Sequence, residues 1–276
     1  MTPVQLLTRP IPSSAEPLPV IGCGTWLGFD RSPRSAEFAQ LPRVLAALFA
    51  AEGSVVDSSP MYGKAEAAVG QLLDEADTRE EAFVATKVWT TGREAGIRQM
   101  EDSFRLLRTE QIDLLQVHNL VDWRVHLATL REWKAQERVR YVGISHYTSS
   151  AYTAVEEVLR SEALDFLQIN YSVEESESAR RLLPLAAERG VAVLVNRPFG
   201  GGALLRRLRS KELPAWAAEI GCTSWPQVLL KFVLSHPAVT CAIPGSGSPD
   251  HMAQNVLAGC GVIPEPAFWQ DKLRHF

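Results

Sequence analysis

The strongest constraint on this chain is an alternation that runs its whole length. Short apolar runs, most of them closing on a polar residue, are separated by longer stretches with helical spacing. The runs are Pro19–Cys23, Ser54–Asp57, Phe83–Lys87 and Ile112–His118, then Tyr141–Ser145, Phe166–Asn170, Val191–Asn196 and Thr240–Pro244. Several are rich in β-branched residues, as strands buried on both faces are. Between them, 36–51, 65–75, 94–107, 126–136, 176–188 and 226–235 repeat apolar residues at three- and four-residue intervals, the mark of amphipathic helices. Gly53 and Gly190 follow two of these stretches, where helix-ending glycines belong.

Eight such units predict an α/β fold, a closed parallel (β/α)₈ barrel forming a single domain over 1–276. An open dinucleotide-binding sheet would carry G-x-G-x-x-G at the start of its first helix. Here Gly22-Cys-Gly24 continues as Thr25-Trp26-Leu27-Gly28 and reads as a loop. Turn residues near the start predict a hairpin at about 5–19 that plugs the barrel base.

Composition excludes several other classes. A length of 276 residues with 46% hydrophobic and 22% charged residues suits one soluble enzyme domain. The net charge of −4 comes with no lysine or arginine run, so nucleic acid is not an expected partner. Cys23, Cys222, Cys241 and Cys260 lie far apart, and no histidine shows ligand spacing, so no metal is expected. Prolines break the first twenty residues, and no apolar run is long enough to cross a membrane. The expectation is a cytoplasmic protein, a monomer or small homo-oligomer.

The polar residues at the strand ends point to chemistry. Asp57, Lys87, His118, Ser145, Gln168 and Asn196 all fall at C-terminal strand ends, the face where barrel enzymes hold their active sites. Titratable groups gathered there lose hydration unless they pair, and Asp57 with Lys87 offsets that loss. Tyr62 follows in Asp57-Ser-Ser-Pro-Met-Tyr62-Gly63, where Pro60 ends the strand and Gly63 permits a turn. A lysine cation beside this tyrosine is expected to lower its pKa. Asp57, Tyr62, Lys87 and His118 then form a proton-delivery set. Tyr62 donates, Lys87 acidifies it, Asp57 fixes Lys87, and His118 orients a carbonyl.

This set closely resembles the catalytic tetrad of the aldo-keto reductases. Resemblance extends to Gly22-Cys-Gly24-Thr25-Trp26, to Val139–Ser145, to Leu167–Tyr171, and to Ile243-Pro244-Gly-Ser246 with Asn255. It implies reversible hydride transfer between NADPH and an aldehyde or ketone, with no metal. It also implies a cofactor extended across the barrel mouth. Ser145, Gln168 and the residue after Ser145 would hold the nicotinamide carboxamide, with Asp57 near its ribose. Gly24, Thr25 and Trp26 would border it. The strand-seven loop Asn196-Arg197-Pro198-Phe199-Gly200 would border the cofactor too, with Arg197 either flat over a ring or on the pyrophosphate, and Pro244, Gly245, Ser246, His251, Gln254 and Asn255 would lie at the adenosine end. Trp26, Tyr62, Trp89, His118 and Trp123 are the expected walls around a small carbonyl substrate.

Four positions depart from the family pattern. His146 stands where asparagine is usual, no tyrosine follows strand seven, and Gly245 and His251 replace basic residues that hold a 2′-phosphate. NADPH leads as cofactor, and NADH or use of both is the alternative. Two other functions compete. One is a weakly catalytic nicotinamide-binding regulatory subunit, resembling the potassium-channel β subunits. The other is a Schiff-base aldolase using Lys87, against which the neighbouring Asp57 argues by raising the lysine pKa.

Overall fold

Period-two alternation along the strands sorts the apolar side chains into an inner and an outer core. In β5 (Phe83–Val88), Phe83 and Ala85 belong to one buried cluster, with Leu114, Tyr141, Phe166 and Leu194. Val84 and Val88 belong to another, larger cluster shared with the helices. Successive strand residues point to opposite faces, so the first cluster fills the interior of a closed sheet and the second lies outside it.

The chain is described by a computed structural model over residues 5–276. Thr8–Pro10 (β1) and Pro17–Pro19 (β2) pair antiparallel. The main sheet comprises β3 (Cys23–Gly24), β4 (Val55–Asp57), β5, β6 (Ile112–His118), β7 (Val139–Ser145), β8 (Phe166–Asn170), β9 (Ala192–Asn196) and β10 (Cys241–Ala242). All neighbours in it are parallel and in chain order. Single bridges, Ile21 to Ala242 and Gly24 to Gly245, join the first strand to the last and close the ring. Outside lie α1 (Leu41–Phe49), α2 (Ala65–Glu75), α3 (Arg93–Leu107), α4 (Trp123–Ala135), α5 (Tyr152–Ser161), α6 (Ser178–Glu188), α7 (Ala203–Leu208), α8 (Trp225–Ser235) and α9 (Pro249–Ala258).

The seam is made by backbone. Gly22 N–H donates to Ala242 O at 2.9 Å, Ala242 N–H to Val20 O at 2.9 Å, and Gly24 N–H to Pro244 O at 3.1 Å. Close approach explains the glycines, because a Cβ on Gly24 would stand 2.9 Å from Ile243 O, and one on Gly22 2.7 Å from Val55 Cβ. The run Pro19–Cys23 is therefore not one strand. Its first residue closes β2 and its last opens β3.

The N-terminal pair covers the base of the barrel. Ile11 and Leu18 are buried in the inner cluster. The Arg9 guanidinium donates to Leu234 O at 2.6 Å, to His236 O at 3.2 Å and to Val239 O, satisfying carbonyls where α8 ends. Arg140 binds both Glu16 and Asp113, tying the β1–β2 turn to β6 and β7. With its base closed and its interior filled, the barrel offers a ligand its mouth, at the C-terminal strand ends.

Candidate active site

Along β5 the inward positions read Phe83, Ala85, Lys87 from base to mouth, so the lysine caps an apolar column. It is completely buried. Its Nζ donates to Asp57 Oδ1 at 2.9 Å, to Asp57 Oδ2 at 2.8 Å and to Ser58 O at 2.6 Å. Burial pushes the ammonium pKa down, but Asp57 and Tyr62 push it up further, and the net shift is upward. Lys87 is thus held as a cation, which removes the neutral amine that a Schiff-base aldolase needs.

Asp57 ends β4 and takes further donors. Gln168 Nε2 lies 2.8 Å from Oδ1, and Gln116 Nε2 approaches the same oxygen at 3.5 Å. Both amides are buried inside the barrel. Thr25 Oγ1 donates to Asp57 O at 2.9 Å, linking β3 to β4 at the mouth.

Tyr62 stands on the loop after β4, with Lys87 Nζ 5.0 Å from its ring centre. Here the structure departs from the expected lowered pKa. Burial of the phenol raises it, and the nearby Lys87 cation only partly offsets that rise. Tyr62 therefore keeps its proton through neutral pH.

His118 ends β6 and meets Tyr62 edge to face, with ring centres 6.1 Å apart. Burial, then the Lys87 charge, pushes its pKa down to about 3, so the ring is neutral. Its Nδ1 lies 3.1 Å from Ser59 Oγ. Behind the mouth, burial pushes the Cys23 thiol up to about 12, which leaves it inert.

A cleft of about 810 Å³ opens above these groups, a size that suits a cofactor with a small substrate. It reaches Gly24, Thr25 and Trp26 on one side and Ser145, His146 and Gln168 across the mouth. Asn196, Arg197, Pro198 and Phe199 line it after β9; Gly245, Ser246, His251, Gln254 and Asn255 line it beyond β10. Two expected cofactor residues are absent from this lining. Pro244 is consumed by the seam, where its carbonyl accepts from Gly24. Gly200 closes a turn onto Arg197 O and faces Glu174.

Trp89 and Trp123 also stand off the cleft, so only Trp26 of the expected tryptophan walls reaches it. Gln99 brackets the Trp89 backbone, accepting from its N–H at 2.6 Å and donating to its carbonyl at 3.2 Å, which draws that loop onto α3. Trp123 opens α4, packs on the outer core and carries Arg124 over its ring at 4.2 Å.

The cleft contains groups that await a ligand. Ser145 Oγ and Asn196 Oδ1 are buried without a hydrogen-bond partner, as is Arg197 Nε. A carboxamide supplies both a donor and an acceptor for such a pair, so the residues fit a nicotinamide. At the far end Gly28 and Gly247 touch so closely that a Cβ on Gly28 would lie 3.0 Å from Gly247 N. Ser248 caps the N-terminus of α9 beside them, and that helix start offers amides to an anion. His146 Nδ1 accepts from Tyr147 N–H at 3.0 Å and Thr148 N–H at 3.3 Å, so its Nε2 carries the ring hydrogen. In that form it donates as an asparagine amide would.

Several lining residues carry no strand-end signature. Leu27, Gly28, Arg31, Glu37 and Gln40 come from the loop between β3 and α1, and Ser224 and Pro226 from the start of α8. Ser59, between Asp57 and Tyr62, and Gln116, within β6, carry no such signature either.

A barrel mouth that buries an ion pair beside a protonated phenol and a neutral imidazole, with a cleft above it whose lining fits a nicotinamide, is that of a carbonyl oxidoreductase. Residues 20–265 match the model of the Aldo/keto reductase family, and the chain belongs to that family, whose members are NADP-dependent oxidoreductases acting on carbonyl groups. The chain is 29% identical over 246 residues to methylglyoxal reductase YeaE of Escherichia coli, covering 86% of this chain and 84% of that protein. It is 26% identical to methylglyoxal reductase DkgB of Salmonella typhi, over 74% and 76% of the two chains. Its fold matches an aldo/keto reductase of Klebsiella pneumoniae in complex with NADP and acetate, with a TM-score of 0.78 at 24% identity, covering 95% and 91%.

Proposed function

We propose that the protein reduces a small, neutral aldehyde or ketone, with Tyr62 as the proton donor. The observation that carries this reading is the fully buried Lys87, paired with Asp57 and set 5.0 Å from the Tyr62 ring. Methylglyoxal, the substrate in the names of two relatives, is the first carbonyl to test.

The residues divide the work. Tyr62 holds its proton at neutral pH and releases it to the carbonyl oxygen as charge develops there. The Lys87 cation stabilises the phenolate that remains, so its effect is greatest in the transition state. Asp57 fixes Lys87, and Gln168 fixes Asp57. Neutral His118 donates to the same carbonyl oxygen and sets its orientation. Ser145, His146 and Asn196 would hold the nicotinamide amide, and the start of α9 the phosphate end. Bound there, NADPH supplies the hydride. Trp26, Leu27, Met61 and Tyr147 give the cleft exposed apolar surface, which favours uncharged substrates.

Tyr62→Phe tests the assignment. The variant is expected to lose roughly 10²- to 10⁴-fold in NADPH-dependent methylglyoxal reduction. Its NADP⁺ affinity, read by quenching of tryptophan fluorescence, stays within about twofold, since the hydroxyl makes no cofactor contact in this reading. A variant with the wild-type rate would remove Tyr62 as the acid.

A further inference from the structure

The loop between Asp57 and Tyr62 contains a serine that the proton-delivery set does not use. Ser59 is fully buried, and its Oγ has two recorded partners. Met61 N–H lies 3.4 Å away and can only donate, so it takes an oxygen lone pair. His118 Nδ1 lies 3.1 Å away and can play either role, depending on where the ring hydrogen sits.

Counting protons decides between the two. If Nδ1 carried the ring hydrogen, it too would donate to Ser59 Oγ. The hydroxyl proton would then be enclosed, with no recorded acceptor among the described residues. A buried donor left unmade costs more than the hydrogen bond it replaces gains. If Nδ1 is bare, the hydroxyl donates to it, the Met61 amide donates to the hydroxyl, and all three groups are satisfied.

We propose that Ser59 is a positioning residue whose hydroxyl donates to His118 Nδ1 and holds the imidazole as its Nε2–H tautomer, making the free ring edge a hydrogen-bond donor to the substrate oxygen. Burial and the Lys87 charge keep the ring neutral, so a choice of tautomer has to be made. The edge-to-face contact with Tyr62 holds the ring plane. With Nε2 protonated, Tyr62 and His118 aim two donors at one carbonyl oxygen. With Nδ1 protonated, the ring would present a lone pair and repel that oxygen. The role in turnover rests on the reading of the site as a carbonyl reductase; the tautomer does not.

The test separates the two. Two-bond ¹H–¹⁵N correlation spectra of the uniformly ¹⁵N-labelled, full-length protein report the tautomer directly, with His118→Asn identifying the signal. Wild type is expected to show the Nε2–H pattern at pH 7. In Ser59→Ala the His118 signals move toward the other tautomer. The kcat for methylglyoxal falls about tenfold, equivalent to about 1.4 kcal/mol of transition-state binding, while the KM for NADPH holds. An Nδ1–H pattern in wild type overturns the proposal. A Ser59→Ala protein with the wild-type tautomer, or with an altered tautomer and an unchanged kcat, overturns it equally. If no carbonyl is reduced by wild type while the Nε2–H pattern is present and depends on Ser59, the Ser59 bond stands and the reductase reading falls.

Discussion

An imidazole that ordinarily titrates at pH 6.5 is held uncharged to about pH 3 at the mouth of this barrel, first by burial and then by Lys87. That difference makes folding pH-dependent. Between the two values the unfolded chain binds a proton that the native site refuses, so the native state loses ground as pH falls. The contribution is whole above about pH 6.5 and is spent as the medium approaches pH 3. His146 and His236 are shifted downward too and act in the same direction. The urea-unfolding free energy should therefore fall with acidification below pH 6.5. His118→Asn should flatten that slope over pH 4.5 to 6.5. Equal slopes in the two proteins would mean that His118 is not the group responsible. Lys87 and Asp57 show the complementary case, because each removes the other's cost, and truncating either alone strands a buried charge.

At the scale of elements, the ladder of strand-end residues was legible in sequence because period-two alternation leaves no freedom. Once Phe83 and Ala85 face inward, Lys87 must as well. The same reasoning reached Asp57 and His118. It could not reach Trp89 and Trp123, since a loop after a strand is aimed by contacts such as Gln99 to Trp89, which lie ten residues apart and follow no period. Nor could it separate Pro19 from Cys23, which take different partners, Thr8 antiparallel and Val56 parallel, on either side of a backbone crowded at Gly22. That crowding gives a prediction for the seam. Gly22→Ala drives a methyl to 2.7 Å from Val55 Cβ and should lower the urea-unfolding free energy by about 1–3 kcal/mol. Gly245→Ala is the control, since its nearest neighbour would be at an ordinary 3.7 Å and its cost should stay within about 0.5 kcal/mol. Similar values for both would show that the seam yields more easily than the close contact implies.

For the whole molecule, the two ends of the barrel carry separate duties. Ile11, Leu18 and the Arg9 contacts close the base, while every group assigned to chemistry stands at the other end. The fold class, its closed ring and this polarity were all readable from the recurrence of strand and helix along the chain. The depth of the cleft was not, because it is built by the 27–40 loop and the start of α8, which lack any repeating pattern. Among the described residues no helix is long and apolar enough to cross a membrane. A ligand that binds only the native mouth must raise the unfolding temperature. NADP⁺ at a hundredfold excess over its dissociation constant should contribute about 2.7 kcal/mol, near 5 °C in a thermal scan. A scan without displacement at saturating NADP⁺ would count against the cleft as its site.

The ring is closed by its two shortest strands, and Gly24, Gly245 and Ser246, which meet across that joint, also border the cleft. A dinucleotide laid across the mouth would therefore act as a rivet on the weakest stitch of the hoop. Amide hydrogens of Gly22, Gly24 and Ala242 would exchange with solvent more slowly in the loaded protein than in the empty one, and by a larger factor than those between β6 and β7. Occupancy and integrity of the cylinder would then be a single mechanical property.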